Sequence, residues 1–314
     1  MKTKKPDIFL GITMVMLVLA MLLCVAILYF QKTGKTFGDP TLQTSETPAA
    51  DTGETTPSEI DTQEPAPTET TPPAPSGDPI DEAALKAALD DSLDGLTSEW
   101  QVVVMDPVFD TRVASAANCD PDDWMTANNL GRIYVLAAAF QKVADGELTQ
   151  DQILDDAKAM ITANDAAAGD RLTELVGGKE AVKTFATSVG SKMGFNRSFA
   201  GGDGKNYVTA QQGAMMLDLM CRGQLVSEDA SKQMLDILMT PTDAPEIDPG
   251  LTGENAKAGF LYDVEDGVCT CALGVVDLGG RQYVVSAVCN LPVTTDGSKK
   301  KITELFSLTQ PYFE

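Results

Sequence analysis

The alternation of apolar and polar positions divides the chain into three stretches with different rhythms. From Ile8 to Phe30 no charged side chain interrupts the apolar run. As a helix rising about 1.5 Å per residue, it would cross a hydrocarbon core of roughly 30 Å. From residue 31 to 79 apolar side chains nearly vanish among Thr, Pro, Glu, Ser and Ala, so little burial is available to offset the entropy of ordering. From residue 80 to 314 periodic patterns return. Asp78 can cap a helix, Pro79 suits its first position, and Ala84, Leu85, Ala88 and Leu89 form its apolar stripe. A strand is predicted over Gln101–Asp106, with Pro107–Thr111 as a turn. The run Ile133–Phe140 is so uniformly apolar that its helix must be buried. Further helices are expected at Gln150–Met160, Asp170–Leu175, Ala181–Val189, Ala210–Cys221 and Glu228–Leu238. Strands follow at Ala258–Asp263, Val268–Val276 and Gln282–Val288, the last two joined by Asp277-Leu278-Gly279-Gly280, and a final helix covers Ile302–Thr309. Strands at both ends of a helical middle predict an α+β domain.

The flanks of the first stretch give it a direction. Lys2, Lys4 and Lys5 precede it, Lys32 and Lys35 follow it, and with the free amino terminus they favour a cytoplasmic N-terminus. A cleaved signal peptide would be shorter and end at small residues, whereas this run ends in Leu28-Tyr29-Phe30. The expected organisation is therefore a cytoplasmic tip (1–7), a transmembrane anchor (8–30), a disordered Thr/Pro/Glu-rich stalk (31–79) and a single extracytoplasmic domain (80–314). Pro and like charges would extend the stalk to the order of 40 Å or more.

Charge and composition then exclude whole classes of function. Asp and Glu number 46 against 23 Lys and Arg, a net charge of −23 that repels nucleic acid and anionic lipid from the soluble part. No histidine is present, so Ser-His and Cys-His catalysis and His-ligated metals are excluded. No spacing suggests a metal site, and no cofactor is expected. Outside the anchor stand Cys119, Cys221, Cys269, Cys271 and Cys289, an odd number. A Cys269–Cys289 bridge across the expected hairpin and buried free thiols both remain open.

Several local words, in order, resemble the class A β-lactamase and penicillin-binding-protein family. Ile133 to Leu148 is similar to that family's central helix and its exit. Met160-Ile161-Thr162-Ala163-Asn164-Asp165 is similar to the segment leading through its Ser-Asp-Asn loop. Leu175-Val176-Gly177-Gly178 and Asn206-Tyr207-Val208-Thr209-Ala210 stand where similar words are expected, and Lys257-Ala258-Gly259 resembles its Lys-Thr-Gly strand element. The resemblance implies an antiparallel sheet flanked by terminal helices, plus an all-helical lobe.

The same resemblance implies a degenerate site. The family uses a nucleophilic serine, a lysine one helical turn later, the Ser-Asp-Asn loop and the Lys-Thr-Gly strand. Here the serine position maps to Asn129 and the lysine position to Arg132. An amide cannot form an acyl-enzyme, and a guanidinium stays protonated. The loop reads Asn164-Asp165-Ala166, and the strand element has Ala258 between Lys257 and Gly259. The deacylating glutamate would precede Asn206, yet Lys192 to Lys205 contains no Glu, and Asp203 is its only acid. Ser298-Lys299-Lys300-Lys301, the one Ser-x-x-Lys of the chain, lies near its end.

The expectation is a catalytically inactive, membrane-tethered module that binds peptidoglycan peptide or an envelope protein. The alternatives are an active serine hydrolase with an unrecognised nucleophile and a structural envelope scaffold. Arg132, at the positive end of a helix, needs an anion nearby. Either an internal carboxylate such as Asp165 supplies it, or Arg132, Asn164 and Lys257 line a cleft for a carboxylate ligand. Asn129 and Asn164 can equally serve as cap and turn residues, and Asp165 as a structural acceptor.

Overall fold

The computed structural model describes residues 80–109, 111–241, 246–291 and 294–314, which belong to one compact unit within Thr71–Glu314. The expected tip, anchor and stalk lie outside the described residues. Among the described residues, no helix is long and apolar enough to cross a membrane.

The elements run α1 (Glu82–Leu93), β1 (Glu99–Asp106), β2 (Thr111–Ala117), β3 (Met125–Thr126), a 3-10 turn (Asn129–Gly131), α2 (Arg132–Ala144), α3 (Gln150–Thr162), α4 (Ala166–Leu175) and α5 (Gly178–Ser188). They continue with β4 (Tyr207–Val208), α6 (Ala210–Cys221), α7 (Glu228–Leu238), β5 (Ala256–Glu265), β6 (Cys269–Leu278), β7 (Gln282–Asn290) and α8 (Thr295–Thr309). Five strands form an antiparallel sheet in the order β2-β1-β7-β6-β5. Period-two alternation sends successive side chains to opposite faces, so the sheet separates two apolar cores. Val103, Leu273, Val275 and Val284 face the helical lobe; Val102, Val104, Ala272 and Val285 face α1 and α8. The domain is α+β, with the antiparallel sheet and helices that the resemblance implies.

Helix α2 is the axis of the helical lobe. Its residues from Arg132 to Phe140 are all buried, and it packs against α3, α4 and α5. Burying each large apolar side chain of this run contributes roughly 1.5–3 kcal/mol, which is ample to hold an uncapped first turn. Asp81 caps α1 by accepting from the Ala84 backbone N–H at 2.9 Å, so this helix begins later than the Asp78-Pro79 signal suggests. The Pro107–Thr111 turn is also shorter than expected: Thr111 already opens β2, whose pairing with β1 supplies an edge strand that the reading lacked. The other predicted elements differ at their ends by four residues or fewer, except α8, which starts at Thr295 because Thr294 caps it through Gly297 N–H.

All five described cysteines are free thiols. Thr270, not Cys269, stands opposite Cys289, and the two cysteines project into different cores. That parity removes the Cys269–Cys289 bridge.

Candidate functional site

The turn that carries Asn129 is built from both sides. Thr126 N–H donates to Asn290 Oδ1 at 2.8 Å, and Ala127 N–H donates to Asn206 O at 3.0 Å, fixing the chain as it enters the 3-10 turn. Asn128 and Asn206 then bind each other: Asn206 N–H donates to Asn128 Oδ1 at 2.8 Å and Asn206 Nδ2 to Asn128 O at 3.2 Å. Asn206 Oδ1 accepts from the N–H groups of Asn196 and Arg197 at 2.9 and 2.8 Å. Two buried asparagine amides thus staple the turn to the segment before β4.

Strand β5 meets this turn with two carboxyl groups. Asp263 Oδ1 accepts from Asn129 Nδ2 at 3.2 Å, and its Oδ2 accepts from Asn129 N–H at 3.3 Å and from the Cys269 thiol at 3.2 Å. Glu265 accepts from Asn128 Nδ2 at 2.8 Å and forms an ion pair with Arg197 at 3.1 Å. Burial holds the Asp263 carboxyl above the usual carboxylate range, although the Cys269 and Asn129 donors oppose that shift. The hydrogen bond with Cys271 and burial push the Cys269 thiol well up.

Arg132 opens α2 and is 2% exposed. Its Nη1 donates to Met160 O at 3.0 Å and to Asn164 Oδ1. The Phe199 ring covers the guanidinium, 5.3 Å from its central carbon, and Nε is buried without a partner. Among the described residues no carboxylate pairs with Arg132 directly; Asp263, Asp165 and Asp170 act on it from further away. Burial outweighs their influence and brings its pKa down to about 10, which leaves it protonated at neutral pH.

The remaining expected site residues fall into two groups. Asn164, with a left-handed φ of 53°, reaches Arg132, while Asp165 caps α4 by accepting from Ala167 and Ala168 N–H at 2.8 and 3.1 Å. Those bonds place the Asp165 carboxyl below its ordinary value, and they are what a structural acceptor would make. Ala166 is simply the first residue of α4. Asn129, Arg132, Asn164 and Asp165 are therefore brought together around the start of α2.

Lys257, Ala258 and Gly259 are not. Lys257 is exposed and stands six positions before Asp263 on β5, about 20 Å along an extended strand. Gly259 faces the end of α7, where an added Cβ would lie 2.4 Å from Leu238 O. The strand residues that face the turn are Asp263 and Glu265, which the reading of the sequence missed. Their signal was available: in a strand with Leu261 turned inward, Asp263 and Glu265 share its face.

Phe199 was also missed. Its N–H and that of Ala200 donate to Asp170 at 2.7 and 3.0 Å, which seats the ring against Arg132, Gly131 and Gly169. Two cavities among the described residues lie elsewhere. One of 470 Å³ runs between α3 and α7, along Leu154, Lys158, Gln233 and Ile237. Another, of 710 Å³, opens at the far end of β5 beside Ala256, Arg281 and Phe313. Neither is lined by Asn129, Arg132 or Asp263.

Among the described residues, neither Asn129 nor Arg132 is placed as an activated nucleophile. Asn129 offers an amide already committed to a carboxyl group, and Arg132 offers a cation that cannot take a proton.

The comparisons with known proteins agree on the fold. The model of the β-lactamase enzyme family matches residues 152–308. The TLA-3 extended-spectrum β-lactamase superposes with a TM-score of 0.65 at 14% identity, covering 74% of this chain and 98% of its own. A class A β-lactamase from Bacteroides cellulosilyticus gives 0.63 at 15%, covering 75% and 99%. The ancestral Gram-negative class A enzyme gives 0.61 at 20%, covering 73% and 100%. No curated protein matches the chain in sequence. The family model takes in half of the sequence, from α3 to α8, and the fold built around α2 is that of the class A enzymes; this chain belongs to the β-lactamase enzyme family.

Proposed function

We propose that this protein is a membrane-tethered member of its family that has lost hydrolysis and serves as a binding module at the cell wall. One observation carries the reading. Where the family's nucleophile is expected, the Asn129 amide is bonded to the buried Asp263 carboxyl, and one helical turn later a sealed guanidinium replaces a base. Acylation needs an oxygen or sulfur nucleophile and a group to accept its proton, and neither position supplies one. The tether rests on the charge-free run from Ile8 to Phe30 and the stalk after it. The partner it would present is a peptidoglycan peptide or an envelope protein.

Two experiments test this reading. Full-length protein should turn over a chromogenic cephalosporin no faster than buffer does, while sedimenting with purified peptidoglycan or retaining an envelope protein. Turnover that one side-chain substitution abolishes would return the protein to the hydrolases. Carbonate washing should leave the full chain in the membrane and release a chain lacking residues 1–30; release of both would remove the tether.

A further inference from the structure

The 710 Å³ cavity at the far end of β5 is a groove with fixed walls. One wall is the loop before β5, the other the turn Gln310–Tyr312 that follows α8. Thr252 N–H donates to Gln310 Oε1 at 2.9 Å and Gln310 Nε2 donates to Thr252 O at 2.6 Å, which locks the two walls together. Tyr312 Oη donates to Ala84 O at 3.3 Å, holding its half-buried ring beside α1. Phe313 stacks on Tyr283 with ring centroids 4.1 Å apart, and Arg281, paired with Asp106 at 2.6 Å, lies over the Phe313 ring.

The chain itself leads into this groove. Ile80 and Asp81 are among its lining residues, so the segment before Ile80 starts at its rim. That segment reads Thr71-Pro72-Pro73-Ala74-Pro75-Ser76-Gly77-Asp78-Pro79. Pro72, Pro73 and Pro75 favour the polyproline II helix, which has little ordering entropy left to lose and leaves its carbonyls unbonded. Ser76-Gly77 is a turn signal, and the five steps from Pro75 to Ile80 reach at most about 17 Å, enough for a reversal onto the groove. Charge singles out this segment. Asp81, Glu254 and Glu314 are exposed at the mouth and repel both the acidic stretch 51–69 and a second copy of so acidic a chain, whereas residues 71–77 carry no charge.

We infer that residues 72–75 fold back as a polyproline II strap into the groove beside Tyr312 and Phe313. Aromatic-walled grooves take proline-rich ligands in this way, and Asn255, exposed on the rim, carries an amide that can donate to the strap's carbonyls. The strap fixes the direction in which the chain leaves the domain, so that the free stalk ends near Thr71 instead of Pro79. The inference goes beyond the binding-module reading and does not depend on it.

The test is hydroxyl-radical footprinting of the full-length chain in detergent micelles, read by mass spectrometry. The parent is compared with a chain carrying Pro72→Gly, Pro73→Gly and Pro75→Gly, none of which touches either apolar core. Oxidation of Tyr312 should rise several-fold in the substituted chain. Trp124, 46% exposed near Asn290 at the opposite end of β7 from Arg281, should stay unchanged. In the reverse direction, Tyr312→Ala should raise oxidation of the three prolines several-fold. Equal oxidation of Tyr312 with and without the prolines would overturn the inference: a low level that rises only on dilution would give the groove to a second copy, and a high level would leave it open to an external partner. A rise shared by Trp124, or prolines indifferent to Tyr312→Ala, would overturn it too. None of these readouts involves β-lactam turnover or wall binding, so the two readings fail separately.

Discussion

The two walls of the site treat their polar groups differently. On the sheet side, Asn128, Asn129, Asp263 and Glu265 bind one another, with Asn206 and Arg197 closing the network. On the helical side, Arg132 is more deeply buried than Asn129 or Glu265 and meets two neutral oxygens and a phenyl ring. The sheet wall is thus closed on itself by hydrogen bonds, whereas the helical wall leaves Arg132 Nε without a partner.

Substitutions can separate the walls. Asp263→Ala should cost most, about 3 kcal/mol in denaturant unfolding, because it strands the half-buried Asn129 amide and the buried Cys269 thiol without their acceptor. Asp170→Ala removes two acceptor bonds from the Phe199 segment and should cost about 1–2 kcal/mol. Its signature is local: hydrogen exchange at Phe199 and Ala200 should accelerate well before that of α2. Uniform acceleration would mean that the segment is not a separate unit.

A smaller effect comes from pH. Burial raises the Asp263 carboxyl, so the folded state holds this proton to higher pH than the unfolded chain does. Its contribution is fully present below the ordinary carboxylate value, about 4, and is lost as pH rises through the folded value. Asp106 is raised by burial too, against the pull of Arg281, and acts in the same direction. Asp263→Asn should therefore flatten the stability profile above pH 4 relative to the parent; an unchanged slope would deny that Asp263 is the group involved. Least of all should come from Lys257→Ala, within about 0.5 kcal/mol, since Lys257 is exposed and remote from the turn. A larger loss would contradict that placement.

The sequence makes some of this legible and hides the rest for physical reasons. Helices α6 and α7 show their bounds because caps and apolar stripes are local features, and α2 because no surface helix is so apolar. The side-chain chemistry of Asn129 and Arg132 is legible because it is a matter of residue identity, independent of any neighbour. What brings Asp263 to Asn129 is strand length and sheet order, which a short word such as Lys257-Ala258-Gly259 does not encode. Phe199 is hidden for a similar reason, since its role depends on Gly131, Gly169 and Arg132, each far from it in the chain.

The central claim, that position 129 and its neighbours cannot be acylated, is tested most directly by intact mass of the full-length protein after incubation with a panel of β-lactams. The account predicts an unmodified mass throughout, for the parent and for Asn129→Ser, since Arg132 cannot relieve a serine of its proton. A stoichiometric adduct on the parent, mapped by digestion to one side chain, would contradict it.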